Sequence, residues 1–414
     1  ADNTTNTITD SSRLSTEEDY SAAIYSKEDL IINGNGTLNV NAGYRNGIKS
    51  TDDCIIVSGT LNITSTEDGI IGKDLCGVVA GDININAGSD GIKSTYDTDT
   101  TKGNVIIEGG NITIKASNDG IQAENILVIN DGTINIKTNN GAADTTQTHT
   151  DNMYMGRGGF GFNNNKTTTT TDDTVESRKG IKAGNMLIIN DGDITIDSDD
   201  DSVHCNSEIY IYGGTINAAT GDDGVHADDL LTVNGGTINI TQCYEGIEAD
   251  DIVINDGDIS VVSSDDGINS SDGSITINGG NLLINASGDG LDANGSIIIN
   301  GGYIVVLGPT SDGDTAIDYD DSCTINGGTV MAFGSSGMLE IPKGASNGAC
   351  IVTAFTSVSG GSKYTLSDSN GNEILSYTPS KAYAAAIVYS DKITTGNTYD
   401  ITAGSTTLSI EVTS

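Results

Sequence analysis

The stretch Asp199–Asp292 repeats a short phrase almost unchanged: Asp201-Ser202-Val203, Asp223-Gly224-Val225, Glu245-Gly246-Ile247, Asp266-Gly267-Ile268 and Asp289-Gly290-Leu291. The apolar residues that end these phrases are 22, 22, 21 and 23 residues apart. A period this regular indicates a chain that stacks one structural unit on itself.

The same apolar position can be followed along most of the chain, at Ile48, Ile70, Ile92, Ile121, Ile181, Val203, Val225, Ile247, Ile268, Leu291 and Ile317. Between these positions apolar residues alternate with polar ones, which is the pattern of strands with one buried face. Each unit offers about three short strands, separated by Asn-Gly, Asp-Gly or Gly-Gly corners, where glycine allows positive φ. The sequence therefore predicts an all-β fold, a right-handed parallel β-helix of about 11 turns of roughly 22 residues each.

The period also defines the expected domain boundaries. Residues 1–27 are predicted to form a polar tail and an N-terminal cap, with Tyr20, Ile24 and Tyr25 at near-helical spacing. The β-helix is expected over 28–335, and a small antiparallel β domain over 336–414 caps its end. The step of 60 from Ile121 to Ile181 hides an insertion of 38 residues, near 142–178. It is interpreted as a disordered loop, or alternatively as a lid that stacks Tyr154, Phe160 and Phe162 on sugar rings.

Composition restricts the partners. Lys and Arg total 18 against 58 Asp and Glu, a formal charge of −40. This charge disfavours nucleic acid and anionic membranes and favours cations, or anions reached through cations. No apolar run approaches the ~20 residues of a membrane span. The polar start Ala1–Thr4 suits a processed export product, so a secreted or cell-surface protein is expected.

One corner is predicted to form a ladder of asparagines. An Asn ends a strand just before Gly or Asp-Gly at Asn33, Asn130, Asn190, Asn234, Asn255, Asn278, Asn300 and Asn326. Stacked Asn side chains can hydrogen-bond from turn to turn, which is a structural role. Cys54, Cys76 and Cys323 likewise share one column, where Cys54 and Cys76 are either a disulfide or packed free thiols.

Acidic residues supply the main chemical signal. In a β-helix, equivalent residues of successive turns lie about 5 Å apart, where two carboxylates repel by about 3 kcal/mol at an effective dielectric constant near 20. The span Asp199–Asp320 contains no Lys or Arg. The acids are therefore partly protonated, or are solvated corner residues that favour turns, or hold metal. Oxygen ligands in several places suit Ca²⁺, so the preferred expectation is several calcium ions at Asp200, Asp201, Asp222, Asp223, Glu245, Glu248, Asp265, Asp266, Asp289 and Asp292.

A second outward column follows three residues after the acids and includes Lys182, His204 and His226. The two histidines are interpreted as a stacked surface pair. The alternative is a transition-metal site that they form with Cys205.

The chain resembles a family of bacterial secreted, carbohydrate-binding, polysaccharide-lyase-like β-helix proteins. The resemblance covers roughly residues 28–400. It lies in Asp29–Leu38, in Asn46-Gly47-Ile48-Lys49-Ser50, in the Asp-Gly-Ile phrases, and in Gly337-Met338 and Thr378-Pro379-Ser380-Lys381. It implies binding of cellulose and polygalacturonate, with calcium in the acidic face. It also implies kinship with calcium-dependent pectate lyases, including those of family nine, which use an Asp-bound Ca²⁺ and a Lys base.

Two functions are weighed. The first is non-catalytic, calcium-dependent binding of plant-cell-wall polysaccharide by a monomer, with sugar contacts from Tyr210, Tyr212, Tyr244, Lys182 and His226. The second is a pectate lyase with Lys182 as the base. A cell-surface adhesin or structural rod is a further alternative. The binding protein is preferred over the enzyme, because no basic residue occurs within the acidic cluster.

Overall fold

The structure is a computed structural model that describes residues 3–11, 21–143, 177–342 and 350–413. These residues form strands, turns and bends and no α-helix. None of them therefore forms a helix long and apolar enough to cross a membrane. The segment Met153–Phe162, where a sugar-stacking lid was the alternative interpretation, lies outside the described residues.

The chain coils into a parallel β-solenoid of three faces. Face 1 contributes thirteen parallel strands: Thr5–Asp10, Thr37–Ala42, Thr60–Ser65, Asp82–Ala87, Asn111–Ala116, Thr133–Thr138, Asp193–Ser198, Thr215–Thr220, Thr237–Cys243, Asp258–Ser263, Asn281–Asn285, Tyr303–Leu307 and Thr329–Gly334. Face 2 follows the repeated acidic phrase: Ala22–Ser26, Asn46–Ser50, Ile70–Gly72, Ile92–Ser94, Ile121–Ala123, Ile181–Ala183, Val203–Cys205, Val225–Val233, Ile247–Ile254, Ile268–Ser270, Leu291–Ala293 and Ile317–Tyr319.

Face 3 completes each turn: Leu30–Ile32, Cys54–Ile56, Leu75–Val78, Asn104–Ile107, Ile126–Ile129, Met186–Ile189, Glu208–Ile211, Ile275–Ile277, Ser296–Ile299 and Ser322–Ile325. The strands Val225–Val233 and Ile247–Ile254 run through both face 2 and face 3. We call the bend between faces 1 and 2 the acid corner, and the bend between faces 3 and 1 the asparagine corner.

The register follows the repeat that the sequence predicted. Ile121 pairs directly with Ile181, so the insertion leaves the stack uninterrupted. The inward residues of all three faces, such as Ile48, Ile247 and Ile317, are fully buried and form one continuous apolar core. Burial of apolar side chains along the whole axis is the main stabilising contribution.

The number of turns is about thirteen rather than eleven. Ile24 pairs with Ile48, and Thr5–Asp10 pairs with Thr37–Ala42, so the stack begins within the segment that was predicted to be a tail and cap. Ile24 and Tyr25 belong to a strand, not to a near-helical segment. The sequence missed this first turn because its corners lack the repeated phrase.

The predicted asparagine ladder is present. The side-chain amide of Asn278 donates to Asn255 Oδ1 at 2.8 Å, and that of Asn300 donates to Asn278 Oδ1 at 2.8 Å. The ladder is interrupted between Asn190 and Asn234, where Tyr212 takes the same position. Asn33 does not belong to the continuous ladder, because Val57, Val79 and Glu108 take this position in the turns between Asn33 and Asn130. The glycines after the asparagines have positive φ, as at Gly236 (91°) and Gly280 (89°).

Glycine is needed at the acid corner for a different reason, which is that the backbone of the neighbouring turn approaches closely. A Cβ on Gly224 would lie 2.5 Å from the carbonyl oxygen of Gly246 and 2.4 Å from the Ile240 side chain. Ser202 and Ala316 take the place of glycine in this column. At the corner of Ser202 the face 1 residue is Ala218, whereas the neighbouring turns have Ile196 and Ile240. The small alanine therefore leaves room for the serine side chain.

A β domain closes the C-terminal end of the solenoid. Tyr383–Ser390 pairs antiparallel with the last face 1 strand and with Ile351–Val358, and a four-stranded antiparallel sheet follows, made of Tyr364–Asp368, Glu373–Tyr377, Thr398–Ala403 and Thr406–Glu411. Outward positions of face 1 are mostly Thr or Asn, but Val305, Leu307, Met331 and Phe333 are buried against this domain. The six cysteines are free thiols; Cys54 and Cys76 are strand neighbours and fully buried.

The pairing of Ser202 with Ala218 predicts a compensating double substitution. Ala218→Ile alone should lower the free energy of unfolding by about 1–3 kcal/mol because it overpacks the corner. In a Ser202→Gly background the same change should be tolerated, since Gly with Ile restores the combination of the neighbouring turns. Urea unfolding of the two single variants and the double variant measures the coupling; additive losses would contradict the steric explanation.

Candidate functional site

The acid corner places one side chain of every turn in a single column. In register these residues are Asn46, Asp68, Asp90, Asp119, Lys179, Asp201, Asp223, Glu245, Asp266, Asp289 and Thr315. The backbone amide after each residue donates to the carbonyl of the next residue in the column, as Gly224 N does to Glu245 O at 2.9 Å. The column that the sequence identified is therefore continuous and closely stacked.

One oxygen of most column acids has a structural role. Asp68 Oδ1 accepts the backbone amide of Asp90 at 3.1 Å, and Asp90 Oδ1 accepts that of Asp119 at 3.0 Å. Asp266 Oδ1 similarly accepts the amide of Asp289 at 2.6 Å. The acids thus form a carboxylate-to-amide ladder that satisfies buried backbone donors.

Before Glu245 in the column, the second carboxylate oxygen of Asp90 and of Asp223 lies beside a basic side chain. Asp90 Oδ2 lies 2.7 Å from the ammonium of Lys93, three residues later on face 2. Asp223 Oδ2 lies 3.1 Å from Nδ1 of His226, which is likewise three residues later on face 2. From Glu245 onward this face 2 position holds Glu248, Asn269, Asp292 and Asp318 instead.

Lys179 occupies a position in the acid column itself. Its ammonium lies 2.9 Å from Asp200 Oδ1 and 2.6 Å from Asp201 Oδ2, and Arg178 pairs with the fully buried Asp199 at 2.6 Å. Burial alone would lower the pKa of Lys179, but the carboxylates of Asp201 and Asp200 raise it well above its usual value. The expectation that no base neutralises the acidic cluster is therefore wrong for Asp200 and Asp201.

Two further predicted ligands lie beside His226. Glu248 Oε2 lies 3.2 Å from His226 Nδ1, and Glu245 Oε2 accepts the side-chain amide of Asn269 at 2.8 Å. Burial raises the pKa of Glu245, reinforced by the carboxylate of Glu248. Burial also raises the pKa of Glu248, although His226 opposes the rise. Burial lowers the pKa of His226, but the hydrogen bond with Asp223 and the carboxylates of Asp201 and Glu248 raise it to about 10.

Asp266, Asp289 and Asp292 form an acidic group without a base. One oxygen of each lies within 4.8 Å of the others, and no Lys or Arg of the described residues makes an ion pair with them. Burial, reinforced by Asp265 and Asp289, raises the pKa of Asp266 to about 8. Burial raises the pKa of Asp289 to about 8 and that of Asp292 to about 7, with Asp318 contributing to both.

Asp200, Asp201 and Asp222 form a similar group beside Lys179, and burial with the nearby carboxylates raises the pKa of Asp222.

The predicted sugar contacts are divided between different parts of the turn. Tyr244 directly precedes Glu245 at the acid corner, and its amide donates to Asp222 O at 2.8 Å. Tyr210 lies on face 3 and the exposed Tyr212 at the asparagine corner, with ring centroids 6.5 Å apart and nearly parallel. Lys182 pairs in register with His204 on face 2 and donates to Ser177 Oγ at 3.4 Å. Tyr244, Lys182 and His226 are thus adjacent to the acid column, whereas Tyr210 and Tyr212 are not.

Sequence reasoning did not predict the positions of two basic residues: it named Lys179 only in support of Lys182 as a base, and it gave Lys381 no contact with the solenoid. Lys179 precedes Gly180-Ile181 just as Asp201 precedes Ser202-Val203, so its place in the column was readable from the phrase. Lys381 comes from the C-terminal domain and donates to the carbonyl oxygens of Ala286 and Leu307. No local pattern indicates that contact, because it joins residues 95 positions apart.

Comparisons with known proteins identify the family of this chain. A family model described as "Carbohydrate-binding domain-containing protein" matches residues 1–224 and 222–340. The chain belongs to this family. A relative of the same description from Acetivibrio thermocellus is 37% identical over 67 residues.

That local match is limited to 15% of this chain and 23% of the relative's length. No solved structure gives a significant match. Membership of the carbohydrate-binding domain family supports the polysaccharide partner that was expected from the sequence.

The carboxylate ladder predicts different outcomes for two changes at Asp68. Asp68→Ala removes the acceptor of the Asp90 amide, and Asp90 is only 3% exposed, so the free energy of unfolding should fall by about 1–3 kcal/mol. Asp68→Asn keeps an acceptor oxygen and should cost much less. Chemical denaturation of both variants tests this, and equal losses would show that the charge rather than the hydrogen bond matters.

The buried carboxylates predict a pH dependence for protein that has been stripped of metal. A folded-state pKa of about 8 for Asp266 and Asp289 exceeds the usual value near 4, so the folded state binds more protons between these pH values. The free energy of unfolding should therefore fall as pH rises from about 4 to 8, by up to about 1.4 kcal/mol per pH unit for each such group.

Denaturation in chelator at several pH values measures this slope. A variant with both Asp266→Asn and Asp289→Asn should show a shallower slope. Stability that rises over the same pH range would contradict the assignment.

Proposed function

We propose that this protein binds an acidic plant-cell-wall polysaccharide, polygalacturonate, without catalysis, through Ca²⁺ held at the acid corner. The proposal rests on a change along the acid column. The face 2 residue three positions after the column acid is basic at Lys93 and His226 but acidic at Glu248 and Asp292. The C-terminal half of the column therefore needs a cation from outside the chain.

The residues present at this half fit calcium. Asp266, Asp289 and Asp292 offer carboxylate oxygens within 4.8 Å of one another, with Asp265 next to them, and no nitrogen ligand. Ca²⁺ takes six to eight oxygen ligands in flexible geometry, so protein carboxylates leave positions for ligand oxygens. We assign calcium here rather than at Asp200, Asp201 and Asp222, where the Lys179 ammonium already neutralises charge.

Calcium also explains how so acidic a protein could hold an acidic sugar. A chain with a formal charge of −40 repels polyuronate unless a cation lies between them. A Ca²⁺ ion that is shared by Asp289 and a uronate carboxylate removes that repulsion. Tyr244, one residue before Glu245 on the same corner, offers a ring on which a sugar can stack. Binding along the solenoid axis would take place on a monomer outside the cell.

A lyase is less well supported at this acidic group. Lys182 is separated from Asp292 by five strand-to-strand steps on face 2, through His204, His226, Glu248 and Asn269. At ~4.8 Å per step this is about 24 Å, too far for a base to act on a sugar bound at Asp292.

Pull-down on polygalacturonate tests the proposal. We expect retention in Ca²⁺, release by chelator, and at least a tenfold loss of affinity in the Asp266→Asn, Asp289→Asn double variant. Asn keeps the acceptor oxygen of the ladder, so this variant should remain folded. Asp68→Asn is the matched control, because it lies in the same column away from the proposed calcium, and should bind normally.

Other outcomes identify the alternatives. Retention on cellulose that is unaffected by chelator would indicate a calcium-independent sugar surface. Unsaturated product that absorbs in the ultraviolet and disappears in Lys182→Ala would establish a lyase. Absence of both binding and product would leave an adhesin or structural rod and contradict the proposal.

A further inference from the structure

Two of the three histidines of the chain lie on consecutive turns of face 2. The ring centroids of His204 and His226 are 4.9 Å apart, with an interplanar angle of 64°. The rings are therefore edge to face rather than a parallel stack. One ring nitrogen of each histidine and an oxygen of Asp201 all lie within 4.8 Å of one another.

His204 has a buried ring nitrogen that is available as a ligand. The residue is 8% exposed, and its Nε2 lies 2.9 Å from Asn206 Oδ1, which can only accept a hydrogen bond. In the neutral ring the proton is therefore on Nε2, and Nδ1 carries a lone pair. This Nδ1 lies 2.8 Å from Asp201 Oδ2, so in the neutral ring two lone pairs face each other, and a proton or a metal cation between them removes the repulsion.

His226 brings further carboxylates to the same place. Its Nδ1 lies 3.1 Å from Asp223 Oδ2, 3.2 Å from Glu248 Oε2 and 4.0 Å from Asp201 Oδ2. Its Nε2 lies 3.6 Å from Asp228 Oδ1. Outer carboxylate and amide groups of this kind commonly orient histidine ligands of metals.

We propose that His204 Nδ1, His226 Nδ1 and Asp201 bind a divalent first-row transition metal ion of the Zn²⁺ class, with Asp223 or Glu248 as the fourth ligand. Four ligands at about 2.0–2.1 Å from one tetrahedral ion lie about 3.3 Å apart. The four nitrogen–oxygen distances that join these histidines to Asp201, Asp223 and Glu248 range from 2.8 to 4.0 Å, so small side-chain movements suffice.

The donor atoms also distinguish this site from the calcium group. Two imidazole nitrogens with carboxylates suit Zn²⁺ and its neighbours, whereas Ca²⁺ prefers oxygen ligands only. Cys205, the third ligand in the alternative that the sequence suggested, is fully buried in the solenoid core and takes no part. Lys179, which also contacts Asp201, keeps Asp200 as a partner when Asp201 turns to a metal.

Cobalt provides a spectroscopic test on the full chain after metal removal. Co²⁺ alone should produce a visible absorption spectrum of low coordination number with one equivalent, and Zn²⁺ should abolish it. His204→Ala and His226→Ala should each weaken Co²⁺ binding by more than about tenfold. His149→Ala, at the third histidine, and the Asp266→Asn, Asp289→Asn double variant are controls that should leave Co²⁺ binding unchanged.

Nitrogen NMR of the histidine side chains tests the wild-type protein without any substitution. Zn²⁺ should shift the Nδ1 resonances of two histidines and leave their Nε2 protonated. The proposal is overturned if neither histidine variant weakens Co²⁺ binding, if excess Ca²⁺ displaces Co²⁺, or if Zn²⁺ leaves both Nδ1 resonances unchanged. No polysaccharide is used, so the result is independent of the proposed sugar binding.

Discussion

The structure depends on one constraint: each turn lies in register on the next, at the ~4.8 Å spacing of hydrogen-bonded strands. Whatever residue occupies a corner therefore meets the equivalent residue of the neighbouring turns. Asparagine is stable in such a column because each side chain donates to the one before it, as Asn278 does to Asn255. Aspartate is harder to stack, because its like charges must lie equally close.

The acid corner resolves this difficulty in two ways. One oxygen of most column acids accepts a backbone amide of the next turn, which makes the acid part of the scaffold. The other oxygen needs a positive partner, which the chain supplies with Lys93, Lys179 and His226 but not beyond Glu248. We therefore propose that the structural ladder binds a cation where its own bases end. The two proposed metal sites lie on either side of this point. The site with nitrogen ligands precedes it along the column, and the site with only oxygen ligands follows it.

Prediction succeeded where the repeat was intact. The register from Ile48 to Ile317 and the asparagine ladder follow from spacing alone, since stacked turns leave few alternatives. It failed at the first turn, where Ile24 stacks on Ile48 without the repeated phrase. It also failed at Lys179, which precedes Gly180-Ile181 at a column position where only acids were considered.

The sequence by itself determined the class of fold, the repeating register and the acidic column, because all three follow from a sequence repeat of about 22 residues. Only the tertiary structure decided which acids have a base nearby and which do not. It also brought Asp201, rather than Cys205, to the paired histidines, because inward and outward positions are set by the strand and not by proximity in sequence. The direction of a side chain, and its distance from the side chains of other turns, depend on how the turns stack, so the sequence of a single turn does not determine them.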